Sequence, residues 1–186
     1  MEHRVCPWWL GYLLASPLRK LLQDPGSLLE LYIRSGMTVL EPGPGMGFFT
    51  LELARRVGNN GRVIAVDVQP RMIAGLKRRL AKANLLQRVD VRLATEDSLG
   101  LADLRGKVDF ALAMAMVHET PGENWFFGQL AEVMKPGGIV LLAEPSGHVT
   151  EAKFQAELDA AKAVGLTVGE RPVIRRSQAA LLKRAV

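Results

Sequence analysis

The sequence predicts an α/β fold built on an open, mostly parallel sheet. Short apolar runs alternate with amphipathic stretches from about residue 37 onward, and turn residues separate the two kinds of segment. The runs are apolar throughout, which is typical of strands buried on both faces of a parallel sheet. Because crossovers between parallel strands are right-handed, helices are expected on both faces of this doubly wound sheet. The length of 186 residues favours a single domain, 1–186.

The candidate strands follow from the apolar runs in chain order. The predicted parallel strands are 37–41, 62–67, 88–93, 107–116 and 138–144. Two extended runs, 166–174 and 178–185, come next with no helix pattern between them. Consecutive strands without a crossover helix pair in antiparallel fashion, so these runs predict a closing hairpin.

Helix signals fill the stretches between the strands. Phe49, Leu53 and Val57 recur every fourth residue, which predicts an amphipathic helix. Pro70 suits the first turn of the next helix, where its missing N–H is harmless. The segment 120–123 (Thr-Pro-Gly-Glu) has the spacing of a capping box that starts a third helix.

Three further helix predictions concern the two ends of the chain. Thr150 is placed to cap a helix that ends near Gly165. Before residue 37, the stretches 8–22 and 27–33 predict two short helices outside the alternation. We interpret the segment 1–35 as a helical cap or lid.

Composition excludes several classes of protein. The chain carries 24 Lys+Arg against 19 Asp+Glu. This excess of +5 permits a nucleic-acid or acidic-membrane partner, but it is too small and too dispersed to indicate one. The single cysteine, Cys6, excludes an internal disulfide framework, which fits a reducing cytoplasm. Cys6, His3 and His118 lack the spacing of metal ligands, so no metal site is predicted. No run reaches the roughly 20 apolar residues that a membrane-spanning helix needs.

A glycine-rich turn carries the strongest functional signal. The segment 41–47 (Glu-Pro-Gly-Pro-Gly-Met-Gly) follows the first predicted strand and opens a helix. Glycine lets the backbone turn tightly and lets a ligand approach closely. The dinucleotide fingerprint G-x-G-x-x-G is not met, because Phe48 stands where its third glycine belongs.

An acidic strand end followed by G-x-G-x-G resembles motif I of the class I S-adenosylmethionine-dependent methyltransferases. Asp67 ends the second predicted strand, 20 residues beyond Gly47, where that family places a ribose-binding acid. The segment 117–119 (Val-His-Glu) resembles a turn of the ubiquinone/menaquinone methyltransferase subgroup. Lys-Pro-Gly-Gly at 135–138 is similar to the turn before the family's fifth strand. The resemblance covers about residues 36 to 186.

The resemblance implies a seven-stranded sheet of order 3-2-1-4-5-7-6, with the seventh strand antiparallel. It implies S-adenosylmethionine as cofactor and S-adenosylhomocysteine as product. The cofactor-binding residues expected from it are Glu41, Pro42, Gly43, Gly45, Gly47, Asp67, Val68, Thr95, Glu96, Asp97 and Ala113. Glu41 would reach the methionine amine, and Asp67 would hold the ribose hydroxyls. An alternative role for Asp67 is to cap the helix at Pro70.

The expected adenine contact departs from the family pattern. Where the family shows Gly-Asp-Ala, this chain has 94–98 (Ala-Thr-Glu-Asp-Ser). Either Glu96 or Asp97 would meet the adenine, and the sequence leaves the choice open.

His118 is the candidate catalytic residue. Its ordinary pKa near 6.5 suits a general base at neutral pH, while the alternative is a histidine that only shapes the pocket. The function implied is methyl transfer to a small or lipid-like acceptor. The alternatives are a SAM-binding protein without catalysis, an RNA methyltransferase and an NAD(P)-dependent oxidoreductase, which the missing third glycine disfavours.

Two surface features and the oligomeric state stay open at this point. Trp8 and Trp9 either pack on the sheet, form a lid over the acceptor, or touch a membrane surface with Arg19 and Lys20 alongside. The basic stretches 77–82 and 171–176 lack interleaved aromatic residues, which favours solvated faces over RNA binding. The sequence does not indicate an oligomeric state.

Overall fold

The computed structural model describes residues 24–95 and 97–186, which contain seven strands. They are β1 (Thr38–Pro42), β2 (Arg62–Asp67), β3 (Val89–Leu93), β4 (Val108–Met114), β5 (Met134–Pro145), β6 (Leu166–Val168) and β7 (Ser177–Arg184). The strands form one sheet of order β3-β2-β1-β4-β5-β7-β6. β7 runs antiparallel to both β5 and β6, whereas β1–β2, β2–β3 and β4–β5 are parallel pairs. The predicted fold class, strand order and antiparallel last strand are confirmed.

Helices flank the sheet, and those of the described residues are numbered in chain order. They are α1 (Pro25–Leu29), α2 (Thr50–Val57), α3 (Pro70–Lys82), α4 (Glu123–Val133) and α5 (Glu151–Ala163). Pro70 lies at the start of α3 as predicted, where its fixed φ suits a first turn. Thr150 caps α5, since its hydroxyl accepts a hydrogen bond from the N–H of Lys153 at 3.2 Å.

The predicted capping box at 120–123 is wrong. The helix α4 begins at Glu123 after Gly122, and no side chain caps it. The hydroxyl of Thr120 instead donates to the carbonyl of Val117 at 2.7 Å. That bond belongs to the short 3-10 turn Val117–Glu119, which competes for the same hydroxyl.

The chain divides into two compact units, and the first ends at Gly100. Its described part holds β1–β3 and α1–α3. Val39, Leu40 and Ile64 in the strands are fully buried, as are Leu53 of α2 and Leu76 of α3. Apolar side chains on the inner faces of α2 and α3 thus complete the core around these strands.

The second unit, Leu101–Val186, holds β4–β7 with α4 and α5. Its core joins the strand residues Leu112 and Leu141 to the helix residues Phe126, Phe127 and Phe154, all fully buried. β5 is longer than predicted because it begins at Met134, before the Lys-Pro-Gly-Gly turn. The closing hairpin is present, but β6 covers only Leu166–Val168 of the predicted run.

The predicted helix at 27–33 is observed as α1 (Pro25–Leu29), which begins two residues earlier and ends four residues earlier than predicted. The carboxylate of Asp24 caps it by accepting from the N–H groups of Gly26 and Ser27, both at 3.1 Å. The predicted helix 8–22, with Trp8 and Trp9, lies outside the described residues. Among the described residues, no helix is long and apolar enough to cross a bilayer.

Candidate functional site

The carboxyl ends of β1 and β2 are tied together through the glycine-rich loop. The N–H of Gly43 donates to the carbonyl of Val66 at 2.9 Å, which extends the pairing of β1 with β2 by one residue. The N–H of Gly45 donates to Oδ2 of Asp67 at 3.2 Å. A carboxylate at the end of β2 therefore fixes the loop that follows β1.

Asp67 also shapes the start of α3. Its Oδ1 accepts from the N–H of Gln69 at 2.9 Å, although Gln69 rather than Asp67 is the N-cap residue. Asp67 is 8% exposed. A carboxylate can accept several hydrogen bonds at once, so these bonds do not by themselves exclude ligand hydroxyl groups as further donors. The turn-forming role and the ribose-binding role are thus compatible.

Glu41 is a buried carboxyl group with an unused oxygen. It is 3% exposed, and its Oε2 has no hydrogen-bond partner among the described residues. Burial raises the pKa of Glu41 to about 7; the hydroxyl of Thr50 opposes this rise and the charge of Asp67 adds to it. An orphaned buried carboxyl oxygen favours a cationic donor, and an amino group is such a donor.

The second and third glycines of the loop have different surroundings. Gly45 has φ +54°, and among the described residues no atom beyond its chain neighbours lies within 4 Å of a Cβ placed there. Gly47 has φ +85°, and a Cβ there would come within 2.5 Å of Cδ1 of Leu76. Gly45 therefore faces space that a ligand can use, whereas Gly47 is required by the packing of α3 against the loop.

The candidate adenine-binding segment follows β3. The N–H of Ala94 donates to the carbonyl of Asp67 at 2.9 Å, which joins this segment to the end of β2. Thr95 and Asp97 are exposed, and Val68 is 44% exposed. Val68 follows β2, and Thr95 and Asp97 follow β3, its neighbour in the sheet. Apolar and polar side chains are therefore both exposed beside the ends of these two strands. Glu96 lies outside the described residues.

The remaining two cofactor candidates are Pro42 and Ala113. Pro42 ends β1 and is paired with Val66. Ala113 lies in β4 of the second unit, paired with Leu142, and its side chain is fully buried. Its small side chain fills the second unit's core.

His118 is held by a carboxylate that sequence analysis did not single out. Glu144, in β5, is fully buried and its Oε1 accepts from the N–H groups of Met116 and Val117 at 3.1 and 2.8 Å. Its Oε2 makes a short contact with Nδ1 of His118. His118 and Glu144 are 26 positions apart, a separation that matches none of the motifs considered in the sequence. The one signal for Glu144 in the sequence was its position as an acidic residue at the end of the apolar run 138–144.

The second ring nitrogen of His118 points toward a more open environment. Its Nε2 lies 3.8 Å from Oε1 of Glu119, and the side chain is 20% exposed. The ring stacks parallel to that of His148 at a centroid distance of 6.4 Å. The hydrogen bond to Glu144 raises the pKa of His118 above its ordinary value; burial opposes this, and the charges of Glu144 and Glu119 reinforce it. Nδ1 is engaged by Glu144, so Nε2 is the nitrogen that can exchange a proton with a ligand.

Glu157, in α5, is the second buried carboxyl group without a partner. It is fully buried, and neither carboxylate oxygen has a hydrogen-bond partner among the described residues. Burial raises the pKa of Glu157 to about 8, the charges of Glu144 and Glu123 raise it further, and Lys153 opposes them. Glu157 is therefore mostly protonated and neutral near pH 7.

The described residues contain no cluster of side chains suited to binding a metal ion. No three His, Cys, Asp or Glu side chains in 24–95 and 97–186 are grouped so that they could hold a metal ion. His3 and Cys6 lie outside this part of the chain.

A family model described as a methyltransferase domain matches residues 33–171. The chain belongs to this methyltransferase family. It has the sheet order of the class I SAM-dependent methyltransferases, and a SAM-dependent methyltransferase structure from Aquifex aeolicus superposes on it with a TM-score of 0.84. That structure is 25% identical and is matched over 96% of this chain and 99% of its own.

Curated relatives share shorter parts of their length with this methyltransferase. The arsenite methyltransferase of Halobacterium salinarum is 34% identical over 109 residues, 59% of this chain and 27% of that protein. The ubiquinone biosynthesis O-methyltransferase of Rhodopseudomonas palustris is 29% identical over 141 residues, 76% of this chain and 51% of that protein. The chain thus spans about half or less of these relatives' length.

S-adenosylmethionine is the cofactor of this family, and the first unit fits it. Its amino group is the kind of cation that the orphaned Oε2 of Glu41 requires. Its ribose hydroxyls are hydrogen-bond donors, and a buried carboxylate such as Asp67 is a suitable acceptor for them. The open space at Gly45 leaves the backbone accessible to a ligand. Three features of the structure therefore agree with the cofactor that the family implies.

Proposed function

We propose that this protein methylates a hydroxyl group of a small or lipid-like acceptor, as a member of the ubiquinone/menaquinone methyltransferase subgroup. In this proposal 1–186 acts as one cofactor-binding domain, with 1–35 as its cap. The observation that carries the choice of a hydroxyl is the contact of His118 with the buried carboxylate of Glu144. A base is needed when the attacking atom is an O–H oxygen, and is not needed when the acceptor is already nucleophilic.

Cofactor binding in this proposal belongs to the edge of the first unit. Glu41 holds the amino group, and Asp67 accepts from the ribose hydroxyls. Val68 and Thr95 contact the adenine, together with Glu96 or Asp97. The cofactor supplies an electrophilic methyl group. The residues that hold it restrict its orientation, which lowers the entropy lost on reaching the reactive geometry.

His118 acts as the general base. Glu144 accepts the Nδ1 proton and thereby fixes the tautomer in which Nε2 carries a lone pair. A bound cofactor would supply the methyl group and would leave as S-adenosylhomocysteine, while Nε2 of His118 would take up the proton of the acceptor hydroxyl. The negative charge of Glu144 stabilises the imidazolium that results, and its hydrogen bonds from Met116 and Val117 keep it in place.

The relatives support a small acceptor. Their names assign arsenite to one and a ubiquinone biosynthesis step with oxygen methylation to the other. Arsenite offers an arsenic lone pair and needs no base of this kind. The His118–Glu144 pair therefore favours a hydroxyl acceptor of the phenol or catechol class, whose proton must be removed.

The test is transfer of labelled methyl from S-adenosylmethionine to a panel of phenols, catechols and hydroquinones. We expect turnover on at least one of them, reduced about 10²-fold or more in His118→Gln, because general base catalysis contributes factors of this size. The affinity of His118→Gln for S-adenosylhomocysteine should match that of the wild type.

The matched control is His148→Gln, which removes the stacked neighbour of His118 and leaves the pair with Glu144 intact. We expect its turnover to stay within a few-fold of the wild type. Binding of S-adenosylhomocysteine with no turnover on any acceptor would favour a non-catalytic SAM-binding protein. Equal activity of His118→Gln and the wild type would exclude His118 as the general base.

A further inference from the structure

An exposed turn between α2 and β2 contains an asparagine followed by a glycine. The turn covers residues 58–61 (Gly-Asn-Asn-Gly), and both of its asparagines are exposed. Because glycine has no side chain to shield its own backbone nitrogen, the nitrogen of Gly61 is accessible to the side chain that precedes it. Asn-Gly is the dipeptide in which the next backbone nitrogen attacks the side-chain amide of asparagine most readily. The turn therefore contains a candidate site of covalent change at Asn60.

The two groups that would react are not engaged by the fold. The side chain of Asn60 and the N–H of Gly61 make no hydrogen bond within residues 24–95 and 97–186. The neighbouring Asn59 differs, because its Oδ1 accepts from Nη2 of Arg88 at 2.5 Å. The fold thus holds one asparagine of the turn in place and leaves the side chain of the other free to rotate.

Asn84 shows how an equally exposed asparagine is protected. It is followed by Leu85, whose side chain is buried and whose N–H donates to the carbonyl of Leu80 at 2.9 Å. The backbone nitrogen that would have to attack Asn84 is therefore hydrogen-bonded, and it is shielded by a bulky side chain. Asn60 has neither form of protection.

We propose that Asn60 is a site of spontaneous deamidation. The backbone nitrogen of Gly61 bonds to Cγ of Asn60, and the side-chain nitrogen leaves as ammonia after it takes up the amide proton of Gly61. The product is a succinimide ring, which water then opens at either of its two carbonyl carbons. One opening gives aspartate, and the other gives isoaspartate, in which the backbone runs through the former side chain. Water is the only co-reactant.

The two products should differ in their effect on the sheet. Gly61 is packed so closely that a Cβ there would come within 2.6 Å of the carbonyl oxygens of Met37 and Val57. The next residue, Arg62, donates its N–H to the carbonyl of Met37 at 3.0 Å, at the start of the pairing of β1 with β2. Isoaspartate adds a carbon to the backbone directly before this fixed point and should strain the pairing. Aspartate changes only the charge of an exposed side chain.

The turn and the candidate cofactor site lie at opposite ends of β2. The turn precedes the strand, whereas Asp67 is its last residue and Val68 follows it. The aspartate form should therefore bind S-adenosylhomocysteine as the wild type does. The proposed deamidation depends neither on the methyl acceptor nor on His118.

The test is incubation of the full chain at mildly alkaline pH, followed by isoelectric focusing and peptide mapping. Deamidation replaces a neutral amide by a carboxylate, so the product appears as an acidic species. Asn60→Gln removes the site, because glutamine would have to close a larger ring. The matched control is Asn124→Gln, the same substitution at an exposed asparagine that precedes Trp125. The chain unfolded in urea gives the rate in the absence of the fold.

We expect the acidic species in the wild type and in Asn124→Gln, with aspartate and isoaspartate at position 60, and far less of it in Asn60→Gln. The rate in the folded chain should stay within about tenfold of the rate in urea, because an exposed turn opens locally at little cost in free energy. The isoaspartate form should unfold at a lower urea concentration than Asn60→Asp.

Two results would overturn the proposal. One is a folded chain that stays unchanged under conditions that deamidate the chain in urea, because the turn would then protect Asn60. The other is equal accumulation of the acidic species in Asn60→Gln and the wild type, because the reacting residue would then lie elsewhere.

Discussion

Two buried glutamates at strand ends, one in each unit, differ in their partners. Glu41 of β1 leaves Oε2 without a hydrogen-bond partner among the described residues, whereas Glu144 of β5 accepts from two N–H groups and contacts His118. Burial raises the pKa of Glu41 to about 7. A buried carboxylate whose acceptors are filled orients its neighbours, and one with an unfilled acceptor is prepared for a ligand cation.

The largest expected effect follows from removing the charge of Glu144. In Glu144→Gln the amide oxygen can still accept from Met116 and Val117, but His118 loses the carboxylate that favours its charged form. We expect kcat to fall about 10³-fold. The pH at which the rate reaches half its plateau should also fall, because the hydrogen bond to Glu144 is the main cause of the raised pKa of His118.

A pH–rate profile with the best acceptor of the panel measures this effect. Glu119→Gln is the matched control, since Glu119 contributes only the smaller charge effect on His118. Its profile should shift slightly and keep its plateau. A Glu144→Gln profile with the inflection of the wild type would show that the pair does not tune the base.

Glu157 sharpens the comparison because it is buried and unpartnered without an obvious ligand. A pKa of about 8 in the folded protein, against about 4.5 unfolded, means that the folded state binds its proton more tightly. Its contribution to stability is full below pH 4.5 and is lost as the pH rises through 8. The quantity to compare is the free energy of unfolding of Glu157→Gln minus that of the wild type. We expect this difference to be more favourable to the variant at pH 9 than at pH 5, by on the order of 3 kcal/mol.

Urea unfolding at the two pH values measures this difference. The exposed Glu132→Gln serves as the control and should show the same difference from the wild type at both. A pH-independent effect of Glu157→Gln would mean that Glu157 is ionised in the folded protein.

The two glycines of the loop give a smaller effect that separates ligand binding from packing. Gly47→Ala places a methyl group against Leu76 at a positive φ, so we expect a loss of about 2 kcal/mol in the free energy of unfolding. The methyl group of Gly45→Ala meets no atom of the described residues beyond its chain neighbours, and the backbone strain alone predicts a loss of about 1 kcal/mol. Gly45→Ala should nevertheless weaken binding of S-adenosylhomocysteine. Denaturant unfolding measures the two losses in stability, and a binding assay measures the affinity for S-adenosylhomocysteine. A larger loss of stability in Gly45→Ala than in Gly47→Ala would contradict these roles.

The smallest effect is the release of up to one proton from Glu41 when the cofactor binds. If the cofactor's amino group meets Oε2, binding stabilises the ionised carboxylate and releases a proton. With a free pKa of about 7, release should be close to one proton at pH 6 and vanish at pH 9. Calorimetric titration in buffers of different ionisation enthalpy measures it. Glu41→Gln should release none, and an equal release from that variant would assign the proton to another group.

The fold and the glycine-rich edge could be predicted because their signals are local. Pro70 marks the start of α3, and Gly43 and Gly45 stand within a few residues of the strand that they follow. Asp67 was predicted to end the second strand, and it is the last residue of β2. In each case the physical requirement, a turn or a strand terminus, is set by adjacent residues.

The sequence did not reveal features in which two local structures compete for one side chain, or in which residues far apart in sequence interact. Thr120 has the sequence of a cap, but the turn before it takes its hydroxyl. The packing role of Gly47 was not predicted, because the clash of a Cβ with Leu76 becomes visible only when α3 packs on the loop. Its contact with the cofactor stays a prediction. Glu144 and Glu157 act through contacts or charges across the second unit, and no sequence spacing reports such pairs.

The most direct test of the account is titration of the protein with S-adenosylhomocysteine, using the wild type and Asp67→Asn. The asparagine can still accept from Gln69 but has lost the charge and one acceptor oxygen that the ribose hydroxyls require. We expect micromolar binding by the wild type and about 10²-fold weaker binding by the variant, with Asp159→Ala as an unaffected surface control. No binding by the wild type at millimolar ligand, or equal binding by Asp67→Asn, would contradict a cofactor site at this edge of the first unit.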